Sequence, residues 1–98
     1  MVAEQEFVIV NQHGLHARAA SRFVQTACQF SSEIEVERDG YRANGKSIIS
    51  ILVIVAAKGD VVTIRGRGQD AADALRALGE LINSGFAELQ RGNGSKHA

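Results

Sequence analysis

The stretch that most constrains this chain is Glu33-Ile34-Glu35-Val36-Glu37, where acidic and β-branched residues alternate strictly. Successive side chains on a strand point to opposite faces, so this segment makes a strand with one apolar and one wet face. Such a strand belongs in an antiparallel sheet open to water on one side, because parallel strands are covered on both faces and run continuously apolar. Asp39-Gly40 follows directly and is a strong hairpin signal, leading into a short strand near 41–43.

The remaining segments supply partners for that strand. Residues 7–10 read Phe-Val-Ile-Val and predict a first strand, and 61–65 predict another. From Ala17 onward, Ala20, Phe23, Val24 and Ala27 fall on one helix face. Asp70 is placed to cap a second helix carrying Leu75, Leu78 and Ile82, with Gly85 as its C′ residue. Residues 48–55 are ambiguous: their isoleucines and valines favour a strand on propensity, whereas Ser47 makes a good helix N-cap. No repeat or linker divides the chain. A single domain over 1–90 and a frayed polar tail over 91–98 are expected. The predicted class is α+β, with helices layered on one face of a mostly antiparallel sheet.

Composition narrows the function. The chain has 98 residues, 45% of them apolar, which suits one small domain with a real core. Eleven basic residues balance eleven acidic ones, giving no electrostatic footprint for nucleic acid or an anionic membrane. The single cysteine, Cys28, rules out an internal disulfide framework and suits a reducing cytosol. The first residues carry two acids where a secretory signal would carry positive charge. The longest apolar stretch, 48–57, has ten residues and contains Ser50, and is about half of the ~20 that span a bilayer. A soluble cytoplasmic protein is expected.

The chemistry concentrates in Asn11-Gln12-His13-Gly14-Leu15-His16-Ala17-Arg18-Ala19-Ala20. His16 falls at a strand-to-helix junction, beside unpaired backbone N–H groups such as that of Ala17 and the positive end of the helix dipole. Those features make an anion site, and an imidazole there offers a ring nitrogen as nucleophile. Arg18 is placed to hold phosphoryl oxygens by charge-assisted hydrogen bonds, and Gly14 lets the chain turn sharply before the helix. Physics alone leaves two readings open, a phosphohistidine site and a resting anion site. His13 and His16 also form a His-x-x-His pair. No second paired Cys or His set accompanies it and His97 lies in the expected tail, so no metal is expected.

This segment resembles the active-site signature of the histidine-containing phosphocarrier (HPr-like) proteins of the bacterial phosphotransferase system, Gly-Leu-His-Ala-Arg-Pro-Ala. His16 matches the phosphorylated histidine and Arg18 its arginine partner. Lys46-Ser47-Ile48 with the apolar run after it resembles the family's serine-site segment, and Ala57-Lys58-Gly59-Asp60 fits as well. The likeness covers about residues 4–88. It implies an open-faced βαββαβα sandwich of four antiparallel strands and three helices, and it resolves 48–53 as a short helix. It also implies a monomeric carrier rather than an enzyme, needing no cofactor. An upstream phosphoenolpyruvate-dependent enzyme would load it, and a downstream sugar-specific or nitrogen-related acceptor would unload it. Partners would dock on Ser21, Ile48, Ile49 and Leu52, and a serine kinase would act at Ser47, whose plainer role is that of an N-cap. The 48–53 segment and the ending Asn83-Ser84-Gly85-Phe86 look closer to the nitrogen-related branch. Two departures stand out: Ala19 replaces the family's usual proline, and His13 stands where relatives carry a small polar residue.

Two other readings compete. A regulatory relative would signal by docking, with its phosphorylation state as the switch. Separately, Gly40-Tyr41-Arg42-Ala43-Asn44-Gly45-Lys46-Ser47 is a literal Gly-x-x-x-x-Gly-Lys-Ser nucleotide-binding loop. The half-wet strand before it, the absence of a second apolar strand ending in a magnesium-binding aspartate, and the short chain all argue against that match.

Overall fold

The computed structural model describes residues 1–86. The tail expected over 91–98 and the last residues of the expected domain lie outside the described residues. The elements run β1 (Val2–Val8), α1 (Ala17–Ala27), β2 (Glu33–Arg38), β3 (Tyr41–Asn44), α2 (Ile48–Ile54), β4 (Val61–Arg67) and α3 (Ala71–Asn83). The strands form one antiparallel sheet in the order β1-β4-β2-β3, so the fold is the open-faced α+β sandwich.

The alternating strand behaves as its pattern requires. Ile34 and Val36 are buried, and Glu33, Glu35 and Glu37 point to the open face. Arg38 pairs with Tyr41 across the hairpin, and both central turn residues, Asp39 and Gly40, have positive φ. That combination matches the right-handed twist of the flanking strands. On the open face Arg65 of β4 reaches both neighbouring strands, donating to Glu37 Oε1 at 2.6 Å, Glu4 Oε1 at 2.8 Å and Glu35 Oε2 at 2.8 Å. These carboxylates, Glu37 foremost, raise the guanidinium pKa further. Unlike charges facing one another across strands favour this register.

Two details differ from the sequence reading, and one ambiguity is resolved. The first strand covers Val2–Val8 rather than 7–10. Its polar half is carried by pairing with β4, from Val2 opposite Arg67 to Val8 opposite Val61. The ambiguous run is helical over Ile48–Ile54, as the family resemblance implied: Ile51 and Ile54, three apart, are buried while Leu52 and Val53 between them are exposed. A strand would alternate, and propensity yields here to tertiary packing. Asp70 does stand at the N-cap of α3, but its carboxylate makes no cap bond. It accepts instead from the backbone N–H of Ser31 and of Ser32, each at 2.9 Å, and from both serine hydroxyls. The turn before β2 is thereby tied to the turn before α3. These hydrogen bonds, the Ser32 hydroxyl first, lower the Asp70 pKa to about 2.

The core lies between the sheet and the helices, with Phe23, Ile51, Ile64, Leu78, Ile82 and Phe86 fully buried. α3 lies so close to β1 that a Cβ at Gly79 would stand 2.6 Å from Phe7 Cε1. α3 ends as expected at Gly85 (φ +66), where the Phe86 N–H donates to the Leu81 carbonyl and that of Gly85 to Ile82. This paired closure is the Schellman motif.

Candidate functional site

The site is built by a turn, a helix start and a buried loop. The Gly14 N–H donates to the Asn11 carbonyl at 3.2 Å, closing a β-turn over 11–14. The Asn11 Nδ2 returns the contact to the Gly14 carbonyl at 2.8 Å, and Asn11 is 7% exposed. Gly14 itself has φ +66, and a Cβ there would collide with the Ala56 carbonyl oxygen. The turn is therefore pressed against the segment after α2, and the Leu15 N–H donates to that same Ala56 carbonyl at 2.9 Å. Nearby, Ile9 exchanges backbone hydrogen bonds with the 59–60 segment, donating to the Asp60 carbonyl and accepting from the Gly59 N–H.

His16 is the N-cap residue of α1, in extended conformation (φ −82°, ψ −174°). Its carbonyl accepts the first helical hydrogen bond, from the Ala20 N–H at 2.8 Å, while its ring caps nothing. The N–H groups of Ala17, Arg18 and Ala19 have no acceptor within the helix. The first turn holds no acidic residue to quench their positive field. His16 is half-buried, and Arg18 is exposed without an ion pair among the described residues. An imidazole and helix-start N–H groups without a helical acceptor thus stand where an anion is best held, with the exposed Arg18 two residues on.

The turn also brings the His13 ring against that of His16, with centroids 5.4 Å apart and planes at 85°. In the sequence His13 stands out only as half of a His-x-x-His pair and as a departure from the family pattern. Only the turn geometry, signalled by Asn11 and Gly14, makes the two rings neighbours. Among the described residues no cluster of three metal-binding side chains forms.

α2 packs against α1 and carries the other expected residues. The Ser47 Oγ accepts from the Ser50 N–H at 3.3 Å, so the serine is a working N-cap. Ile48, Ile49 and Leu52 are exposed at 41, 75 and 37%, and the apolar surface continues over Val53 and Val55, which the sequence reading did not single out. Ser21, half-buried on α1, accepts a long contact from Gln25. The Gly40–Ser47 segment forms no phosphate loop: it makes the edge strand of an antiparallel hairpin, and the Lys46 Nζ is committed to the Phe30 carbonyl at 2.7 Å. No helix among the described residues is long and apolar enough to cross a membrane.

Comparison with known proteins agrees with this geometry. Residues 3–84 match the family model PTS-HPr, described as the PTS HPr component phosphorylation site. The phosphocarrier protein HPr of Neisseria meningitidis serogroup A is 48% identical over 85 residues, covering 87% of this chain and 96% of its own. Among solved structures, HPr from Thermoanaerobacter tengcongensis superposes with a TM-score of 0.85 at 45% identity, covering 87% of this chain and 96% of that one. HPr from Bacillus anthracis gives 0.80 at 36%, covering 83% and 96%. The chain therefore belongs to the PTS HPr family and is a phosphoryl carrier of the phosphotransferase system.

Proposed function

We propose that His16 is the residue that carries the phosphoryl group. The observation supporting this most directly is the start of α1, where the imidazole of the N-cap residue makes no cap bond and is followed by helix-start N–H groups without a helical acceptor and by Arg18. In the transfer, the lone pair of a His16 ring nitrogen forms the new N–P bond as the donor's N–P bond breaks. The released electron pair stays on the donor's ring nitrogen. Arg18 and the N–H of Ala17 hold the phosphoryl oxygens, whose charge must be stabilised throughout the step. The carrier performs no net turnover and works as a cytoplasmic monomer without a cofactor.

The donor is an upstream phosphoenolpyruvate-dependent phosphotransferase. The acceptor is a downstream sugar-specific or nitrogen-related protein of the same system. Both dock on the surface formed by Ser21, Ile48, Ile49 and Leu52, whose exposed apolar area fits a recognition patch. Ser47 is the regulatory position: a kinase-added phosphate suits a helix N-terminus yet puts a dianion into the docking surface.

The test loads the protein from phosphoenolpyruvate and the upstream enzyme. His16→Ala should gain no acid-labile phosphate while keeping its melting temperature, whereas Leu52→Glu should slow loading only at limiting carrier. Labelling of the His16→Ala variant would sink the assignment.

A further inference from the structure

We propose that His13 is a positioning residue for phosphoryl transfer: its ring, perpendicular to that of His16, fixes the plane of the accepting imidazole. The proposal rests on His16 being the acceptor, and its observations are independent of that reading.

The His16 ring lacks any other restraint of this kind. It makes no cap bond to the first turn of α1, and among the described residues it forms no hydrogen bond or ion pair. A histidine χ2 torsion is intrinsically broad and roughly two-fold, so an unrestrained ring would turn its reactive nitrogen through a wide arc. His13 narrows that arc. The two centroids lie 5.4 Å apart with planes at 85°, an edge-to-face arrangement that aromatic rings prefer.

His13 itself is exposed, yet its backbone is fixed from both sides. It occupies the third position of the turn closed by Gly14 N–H to the Asn11 carbonyl, and the buried Asn11 side chain locks that turn from below. Gly14 and Leu15 then press the turn against Ala56. A rigid turn thus holds one ring as a stop for the other. An oriented nucleophile reacts faster because less rotational freedom is lost at the transition state. The contact is made to the acceptor ring itself, so it acts on the maximal transfer rate rather than on partner affinity.

The experiment compares wild type with His13→Ala, His13→Phe and His16→Ala, loaded from radiolabelled phosphoenolpyruvate by the upstream enzyme over a range of carrier concentrations. An edge-to-face pair corresponds to about a two- to tenfold effect on rate. His13→Ala should lower the maximal rate by about that factor, leaving the half-saturating concentration and melting temperature unchanged. His13→Phe, which keeps a ring edge but no nitrogen, should restore the rate. Proton NMR should show the ring-current shift of the His16 ring lost in His13→Ala and kept in His13→Phe. A wild-type rate in His13→Ala overturns the proposal. Failure of His13→Phe to rescue also overturns it, by assigning the effect to a nitrogen of His13. Labelling of His16→Ala would instead refute the acceptor assignment, so the two failures are told apart.

Discussion

Replacing Gly14 by alanine tests how the fold holds the proposed phosphorylation site. Two separate costs act at this position. The left-handed backbone, φ +66, costs an L-residue about 1–2 kcal/mol. The new Cβ would also overlap the Ala56 carbonyl oxygen and stand 2.8 Å from Ala57 Cα. Those are backbone atoms and cannot rotate aside, so the turn must move, at a cost of about 1–3 kcal/mol for overpacking. Movement stretches the Leu15 N–H bond to that carbonyl, about 1 kcal/mol more. The total, about 3–6 kcal/mol, is a large share of the 5–15 kcal/mol typical of a domain. Gly40→Ala is the control, because Gly40 has φ +83 but nothing within 4 Å of a Cβ, so it bears the conformational cost alone. Urea unfolding should place the Gly14→Ala midpoint lower than wild type by on the order of 2 M, with Gly40→Ala shifted much less. Equal shifts in the two variants would refute the claim that the turn is clamped on the Ala56 loop.

Two further perturbations probe the frame. Asp70 is held at a pKa of about 2, against 3.8 for the free side chain. Its stabilising contribution is therefore complete above about pH 4 and disappears as pH falls toward 2. Asp70→Asn should melt lower at pH 7 and lose less stability than wild type between pH 4 and pH 2; parallel acid-unfolding curves would contradict this. Val55 is a β-branched residue at φ +53 and 69% exposed, so it bears a left-handed penalty with little burial in return. Val55→Gly should raise the melting temperature by about 4–8 °C, corresponding to about 1 kcal/mol. A lower value by calorimetry would mean that the valine side chain packs to more effect than its exposure suggests.

The features legible in the sequence were those decided locally. The Glu-Ile-Glu-Val-Glu alternation, the Asp39-Gly40 turn and the Gly85 stop each follow from a few neighbouring residues, and the structure has all three. What sequence alone missed or left open depends on distant partners. Residues 2–6 become strand because β4 pairs with them, although Glu4, Gln5 and Glu6 carry no apolar signal. Asp70 stands where a cap was expected, yet two serines 38 and 39 residues away claim its carboxylate. The residues of 48–54 left strand and helix open, and only the family resemblance implied the helix, because which side chains are buried, Ile51 and Ile54, is decided by packing against α1 and the sheet. At the site, the order of His16, Ala17 and Arg18 was readable. The contact between His13 and His16 needed the turn.

The strand order has a consequence for how the chain is made. β1 leaves the ribosome well before β4, its sole neighbour in the sheet among the described residues, with Val2 facing Arg67. At about 5–20 residues per second, some sixty residues of synthesis keep β1 unpaired for roughly 3–12 s. Glu4 and Glu6 suit that interval, because charges spaced along an open strand discourage pairing with another chain. The supports of the site arrive equally late: Leu15 waits for Ala56, and Ile9 for Gly59 and Asp60. A nascent chain therefore carries His16 well before it carries the framework of the proposed phosphorylation site, which is complete only once the second half of the domain has emerged.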